Sequence, residues 1–358
     1  MPTYPTTSGW TKAWTAVGAA AVICGLTVAV RATSDANDAA VIPDRAASAP
    51  YLAKYLRPGQ VPFPSDNAYT PARDELGRML FFDPRLSGSG WISCASCHNP
   101  AFSWGDGLPR AIGHGMKTLG RRTPTLLNLA WGSSMFWDGR AETLEEQALG
   151  PIEAPGEMNL SLREMVEKVA AIDGYRQAFA TAYPGEPIAA ATVARAIATF
   201  ERGIVSRPAP FDRWVVGEEQ AIPADAKRGF LLFNTKARCA QCHTGWRFTD
   251  DSFHDIGVVG SDEGRGKVLA GIESMQHAFK TPTLRDVDRR APYMHDGSVA
   301  TLDAVIDLYD RGGDIRRGSL SPEMKPLGLT RDERAQLLAF LRTLTAPADP
   351  AVVPALPR

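Results

Sequence analysis

The sequence predicts a mostly α-helical chain with two tandem domains behind an N-terminal apolar segment. Three observations predict it. Helix signatures recur between residues 161 and 341, alternating strand patterns are scarce, and Cys-x-x-Cys-His occurs twice, at 94–98 and 239–243. The 358 residues suffice for two domains that each bury a core. A net charge of -1 gives neither the basic excess of a nucleic-acid binder nor the acidic excess of a disordered chain. No nucleic-acid partner is expected. The 27 prolines and 32 glycines predict ordered loops between short helices.

The elements follow in order. Ala13 to Val30 is apolar, with Lys12 before it and Arg31 after it. Residues 1–31 therefore read as a signal peptide or membrane anchor, the one expected link to a membrane, and imply an exported, periplasmic chain. Cys24 reads as a small apolar residue of that run, because Leu26 to Val30 stay apolar where a lipid-attachment signal would turn polar. Residues 32–50 read as a linker, 51–215 as a first domain, 216–346 as a second, and 347–358 as a tail. Pro100, Gly105, Gly107, Pro109, Gly113, Gly115 and Gly120 predict loops after the first motif. Ser161 and Glu164 form a capping box ahead of Met165, Val166 and Val169. A second helix is predicted over about 188–205, with Val193, Ile197 and Phe200 on one face. Pro208 to Asp212 reads as a linker. A helix over 224–233 leads into the second motif, and Thr330 and Glu333 cap a last helix bearing Leu337, Leu338, Phe340 and Leu341. The two cysteine motifs make a weak repeat about 145 residues apart (239 against 94).

Cys94, Cys97 and His98, and again Cys239, Cys242 and His243, match the attachment site of a c-type haem. Two thiols add across the haem vinyl groups, and the adjacent imidazole lies under the iron as proximal ligand. Zinc is the main rival, but His114, His254, His277 and His295 offer no second pair at zinc spacing. A cytosolic thiol redox motif would leave the two adjoining histidines unexplained. Two tandem cytochrome c-type haem domains, with two covalent haems, are expected.

Segments 122–158 and 280–313, with Phe136-Trp137-Asp138-Gly139-Arg140 and His295-Asp296-Gly297, resemble the bacterial di-haem cytochrome c peroxidase superfamily. The likeness spans roughly residues 60–345 and implies an enzyme acting on hydrogen peroxide. Classical members ligate the second iron with a Met fourteen residues after the His of His-Asp-Gly. Fourteen after His295 stands Tyr309, as in the MauG-like branch. The resemblance therefore implies that His243 and Tyr309 hold the second iron. An anionic oxygen donor there favours oxidised iron, where a Met would favour the ferrous state. It also implies that Trp137 lies between the haems and that Gln147, Pro151 and Glu157 lie over the open face of the His98 haem. Glu157 would move a peroxide proton, Gln147 would orient bound oxygen, and Pro151 would shape the pocket. His114, between two glycines, is a candidate distal ligand of the first iron.

Two departures from the family stand out. Its inter-domain calcium positions fall on Arg122 and Arg290, so calcium is expected to be weak or absent. The MauG-like exit residue, a Trp two places before the second motif, is Ala237 here. The partner is then not methylamine dehydrogenase, or the exit route differs; Trp214 and Trp246 are candidate exits. The function expected is peroxide-driven formation of a high-valent di-haem state that oxidises an exported protein partner. The alternatives are a peroxidase fed by a small cytochrome c or cupredoxin, and a plain two-haem electron carrier.

Overall fold

The computed structural model describes residues 45–348 and 351–358. The signal or anchor at 1–31, Cys24 and most of the 32–50 linker lie outside them. Where the linker was expected to end, a helix begins: α1 (Arg45–Leu52). Among the described residues no helix is long and apolar enough to cross a membrane.

The first core gathers α2 (Pro71–Phe82), α3 (Cys94–Cys97), α4 (Leu144–Glu153), α5 (Leu162–Ala170), α6 (Asp173–Ala182) and α7 (Ala190–Arg202). Its centre is Leu76, Leu80, Ile152, Met165, Tyr175 and Val193, all buried. The predicted capping box opens α5, with the Ser161 hydroxyl accepting the Glu164 N–H. The second core uses α8 (Pro210–Val215), α9 (Ala224–Asn234), α10 (Leu302–Asp310) and α11 (Arg331–Arg342). The predicted Thr330–Glu333 box opens α11. Two short antiparallel strands, β1 (Phe253–His254) and β2 (Phe279–Lys280), are the only named strands among the described residues. The chain is mostly α.

Packing departs from the sequence reading in three places. Pro208 to Asp212 is not a plain linker, because Pro210 starts α8 at a position where a missing N–H costs nothing. Tyr55, Phe211, Trp214 and Val215, which a boundary at 215/216 gives to the first domain, pack in the second core. There Asp212 pairs with the buried Arg285 at 2.8 Å. The tail also returns to the first domain: the Gly174 N–H donates to the Arg358 carbonyl, and Pro354 is buried.

Each core has a helix pair crossing at a glycine. A Cβ on Gly77 of α2 would lie 1.9 Å from the Ala196 carbonyl oxygen of α7. One on Gly229 of α9 would lie 2.0 Å from the Gln336 oxygen of α11. The two halves also repeat at a constant offset of 158 residues (281 against 123). Thr123-Pro124-Thr125-Leu126 recurs as Thr281-Pro282-Thr283-Leu284. The left-handed Asn128, Phe136 and Gly139 recur as Asp286, Met294 and Gly297. The Thr143 cap of α4 recurs as the Thr301 cap of α10.

That repeat positions the seam between the halves. The Arg122 N–H donates to the His295 carbonyl at 2.7 Å, and the Lys280 N–H donates to the Trp137 carbonyl at 2.8 Å. These are one bond written twice, since 122 and 280, like 137 and 295, stand 158 apart. Arg121 ties the seam further, reaching Asp138 and Asp262 at 2.6 Å each.

Candidate functional site

A cavity of about 930 Å³ has both cysteine motifs in its wall. It stands near the top of the usual range for small-molecule sites, roughly 300–1,000 Å³. Its wall holds Cys94, Cys97, His98, Trp137, Gln147, Pro151 and Glu157 of the first half, and Cys239, Cys242, His243, His295 and Tyr309 of the second.

The two histidines are held alike. His98 Nδ1 lies 3.1 Å from the Trp104 carbonyl, and His243 Nδ1 lies 3.0 Å from the Phe248 carbonyl. A carbonyl only accepts, so each Nδ1 carries the proton and each Nε2 keeps a lone pair for a metal. Burial lowers both imidazole pKa values, which keeps the rings neutral and ready to ligate. Burial likewise pushes the thiols up, Cys97 to about 11 and Cys239 to about 12. Thiols raised in this way are not the thiolates that a zinc site requires. Among the described residues one group of metal-ligating atoms lies within 4.8 Å, Cys242, Asp250 and His254. It falls one ligand short of a structural zinc site and uses a motif cysteine.

Charge completes the fit. Arg122, Arg290 and Lys280 all line the cavity, and among the described residues none is ion-paired to a carboxylate. Burial lowers all three, Arg290 to about 10 and Lys280 to about 8. Buried cations need counter-charge. A haem brings two carboxylates, so these residues fit two haems.

Tyr309 sits on α10 and has no hydrogen-bond partner for its hydroxyl among the described residues. Burial, with the sulfurs of Cys239 and Cys242 nearby, raises the phenol well above its ordinary value. Left alone it stays protonated; a cationic iron would stabilise the phenolate. The 158-residue repeat puts Pro151 at the equivalent place in the first half (309 against 151). Proline offers no donor atom, so α4 presents no candidate iron ligand at the place where α10 presents Tyr309. Gln147 and Pro151 are four apart on α4 and face the same side. Glu157 lies just beyond, its pKa raised by burial and only partly countered by Arg140. The Trp137 indole N–H donates to the Arg122 carbonyl at 2.8 Å, which fixes the ring at the seam.

His114 does not line the cavity. Its N–H bonds to the carbonyls of Gly156 and Glu157, and its Nδ1 is buried without a partner. Gly113 makes that approach feasible, since a Cβ there would lie 2.0 Å from the Gly156 oxygen. Two groups in the wall escaped the sequence reading. Glu201 is a buried carboxyl near Cys94, and Lys280 is the counterpart of Arg122. The Thr-Pro-Thr-Leu repeat would have found Lys280; nothing local marks Glu201. Of the candidate exits, Trp214 is fully buried in the second core. Trp246 is partly exposed and packs edge-on to Trp131, with centroids 4.8 Å apart. The Arg57 and Arg285 guanidiniums lie 5.1 and 5.9 Å from its ring.

This fold and site define a di-haem c-type cytochrome. The pattern described as di-haem cytochrome c peroxidase matches residues 71–220, and that of cytochrome c matches residues 226–345. Methylamine utilization protein MauG of Methylorubrum extorquens is 52% identical, covering 94% of this chain and 96% of that protein. Cytochrome c551 peroxidase of Nitrosomonas europaea is 37% identical, covering 79% and 83%. A crystal structure of a MauG-like protein associated with microbial copper homeostasis superposes with a TM-score of 0.75 at 35% identity, covering 82% and 94%. The chain belongs to the di-haem cytochrome c peroxidase family. It is an enzyme of that family and carries two covalently bound c-type haems.

Proposed function

We propose that the chain uses hydrogen peroxide at the His98 haem to oxidise an exported protein partner, with the His243 haem holding the oxidising power on the way. The carrying observation is the contrast at equivalent positions: Tyr309 beside the second motif, Pro151 beside the first. Once attached, the haems supply the peroxide chemistry and the storage of oxidising equivalents.

The residues have distinct tasks. Glu157, whose carboxyl has no hydrogen-bond partner among the described residues, takes a proton from the near peroxide oxygen and returns it to the far one. Gln147 orients the oxygen by hydrogen bonding, and Pro151 keeps that face open. Tyr309 would hold the second haem's iron through an anionic oxygen. Trp137, hydrogen-bonded to each half, gives charge an aromatic bridge across the seam.

The relatives' names suggest methylamine utilization as the setting. Ala237, buried at 4% exposure, means that oxidation leaves by another route than a Trp at 237. Two guanidiniums over Trp246 oppose positive charge on its ring, so that indole is a poor exit. The apolar run 13–30 supports a periplasmic chain.

The test adds stoichiometric peroxide to the diferric protein. A long-lived oxidised spectrum is expected, and Tyr309→Phe should shorten its life and change the second haem's spectrum. A wild-type spectrum in that variant would sink the reading. A second reading, a peroxidase fed by a small cytochrome c or cupredoxin, draws on His114. Its loop docks on the Glu157 carbonyl with one imidazole nitrogen buried and unpartnered. Fast steady-state turnover with reduced cytochrome c, lost in His114→Ala, would favour it.

A further inference from the structure

Arg122 and Arg290 are each only 6% exposed, and each has a buried Nε without a partner. They come from different halves of the chain and meet at the seam, where Arg122 donates through Nη2 to the Arg290 carbonyl at 2.6 Å. Arg290 donates to the Thr283 carbonyl. Their carbonyl partners are neutral, and among the described residues neither guanidinium has a carboxylate within ion-pairing distance. Burial depresses the Arg290 pKa, the nearby Arg122 charge depresses it further, and Asp286 only partly offsets them. Two like charges placed together in a dry seam are costly unless an anion joins them. Both line the cavity that holds the two motifs. Asp138, Asp251, Asp262 and Glu323 in that cavity's wall are ion-paired with other arginines; a haem would bring two further carboxylates, and a planar guanidinium fork matches a carboxylate geometrically.

We propose that Arg122 and Arg290 form a built-in dication that binds haem propionates from both halves across the seam, doing there what a bound divalent cation would do. The seam then takes no calcium, because two fixed charges already occupy it. A positive charge next to a haem favours the ferrous form. The pair therefore raises both reduction potentials and couples the halves electrostatically.

The experiment uses the holoprotein. Metal analysis after dialysis, and spectroelectrochemical titration with and without a chelator, form the first arm. No stoichiometric divalent cation is expected, and the chelator should leave both midpoint potentials unmoved. The second arm titrates Arg122→Gln and Arg290→Gln. Both haems should shift to more negative potential, their propionate bands should move in resonance Raman spectra, and Arg→Lys variants should recover part of the shift. One tightly held calcium per chain whose removal changes the spectra would overturn the proposal. So would unshifted potentials and unmoved propionate bands in haem-loaded variants. If the Gln variants fail to load haem, the Lys variants and the wild-type metal arm still decide it.

Discussion

Glu157 and Glu201 are both carboxyls in the wall near the first motif, yet they are suited to opposite states. Glu157 has Arg140 as a countervailing charge, so its carboxylate is accessible. Its raised pKa predicts that the rate of reaction with peroxide falls as pH drops through a value above the ordinary carboxylate range. Glu157→Gln should lower that rate by about 10²–10⁴-fold and erase the acid limb; stopped-flow rates across pH check both. Glu201 is 4% exposed, with an unpartnered Oε2, and its neighbour Arg202 is engaged by Glu145 at 2.6 Å. Burial pushes it up to about 8 from 4.5. The folded state then binds more protons than the unfolded state between those two values. Linkage makes stability fall as pH rises through that window and level off above it. Denaturant titrations of the holoprotein at pH 5, 7 and 9 should show the loss, and Glu201→Gln should flatten it. A wild-type slope in that variant would remove Glu201 from the account.

At the scale of elements, the glycine crossings carry the stability of each half. Alanine at Gly229 would push a methyl into the Gln336 carbonyl, and at Gly77 into that of Ala196, both backbone atoms that cannot swing away. Overpacking of this kind costs about 1–3 kcal/mol. Gly229→Ala should therefore lower the melting temperature with the second half failing first, and Gly77→Ala the first half; hydrogen exchange resolves which. What the sequence made legible was local. Ser161–Glu164 and Thr330–Glu333 announce their helices because a capping box is complete within four residues. The haem motifs announce themselves for the same reason. Pro208 to Asp212 misled because Pro and Ala resemble a linker, whereas a buried Asp212–Arg285 pair 73 residues apart makes α8 part of the second core. Neither crossing glycine is recognisable without its partner helix. That the guanidiniums of Arg122 and Arg290 meet without a carboxylate partner is visible only once both halves are folded around one cavity.

Across the whole molecule, the 158-residue repeat makes the seam an approximate two-fold interface with unlike occupants. Trp137 answers to His295, Arg122 to Lys280 and Pro151 to Tyr309. The backbone bonds are repeated while the side chains differ, so one local geometry presents different chemistry at the two ends. Gly139 and Gly297 hold the seam from both sides. Each has positive φ, and a Cβ would meet Phe253 at 2.2 Å for Gly139 and the Pro109 oxygen at 2.3 Å for Gly297. In both cases the clash is with the opposite half. Alanine at Gly297 should therefore spread the seam without unseating either haem, because the proximal histidines and their carbonyl partners lie within single halves. Strain from positive φ alone must be separated from the clash. Gly185 provides the control, with φ +80° and nothing within 4 Å of a Cβ. Charge transfer weakens steeply with distance, so Gly297→Ala should slow the passage of oxidising equivalents from the first haem to the second after peroxide addition. Gly185→Ala should lose some stability yet keep the wild-type rate. Freeze-quench spectroscopy that follows each haem separately gives the readout. Equal rates in the two variants would mean that the seam's closeness does not control the coupling.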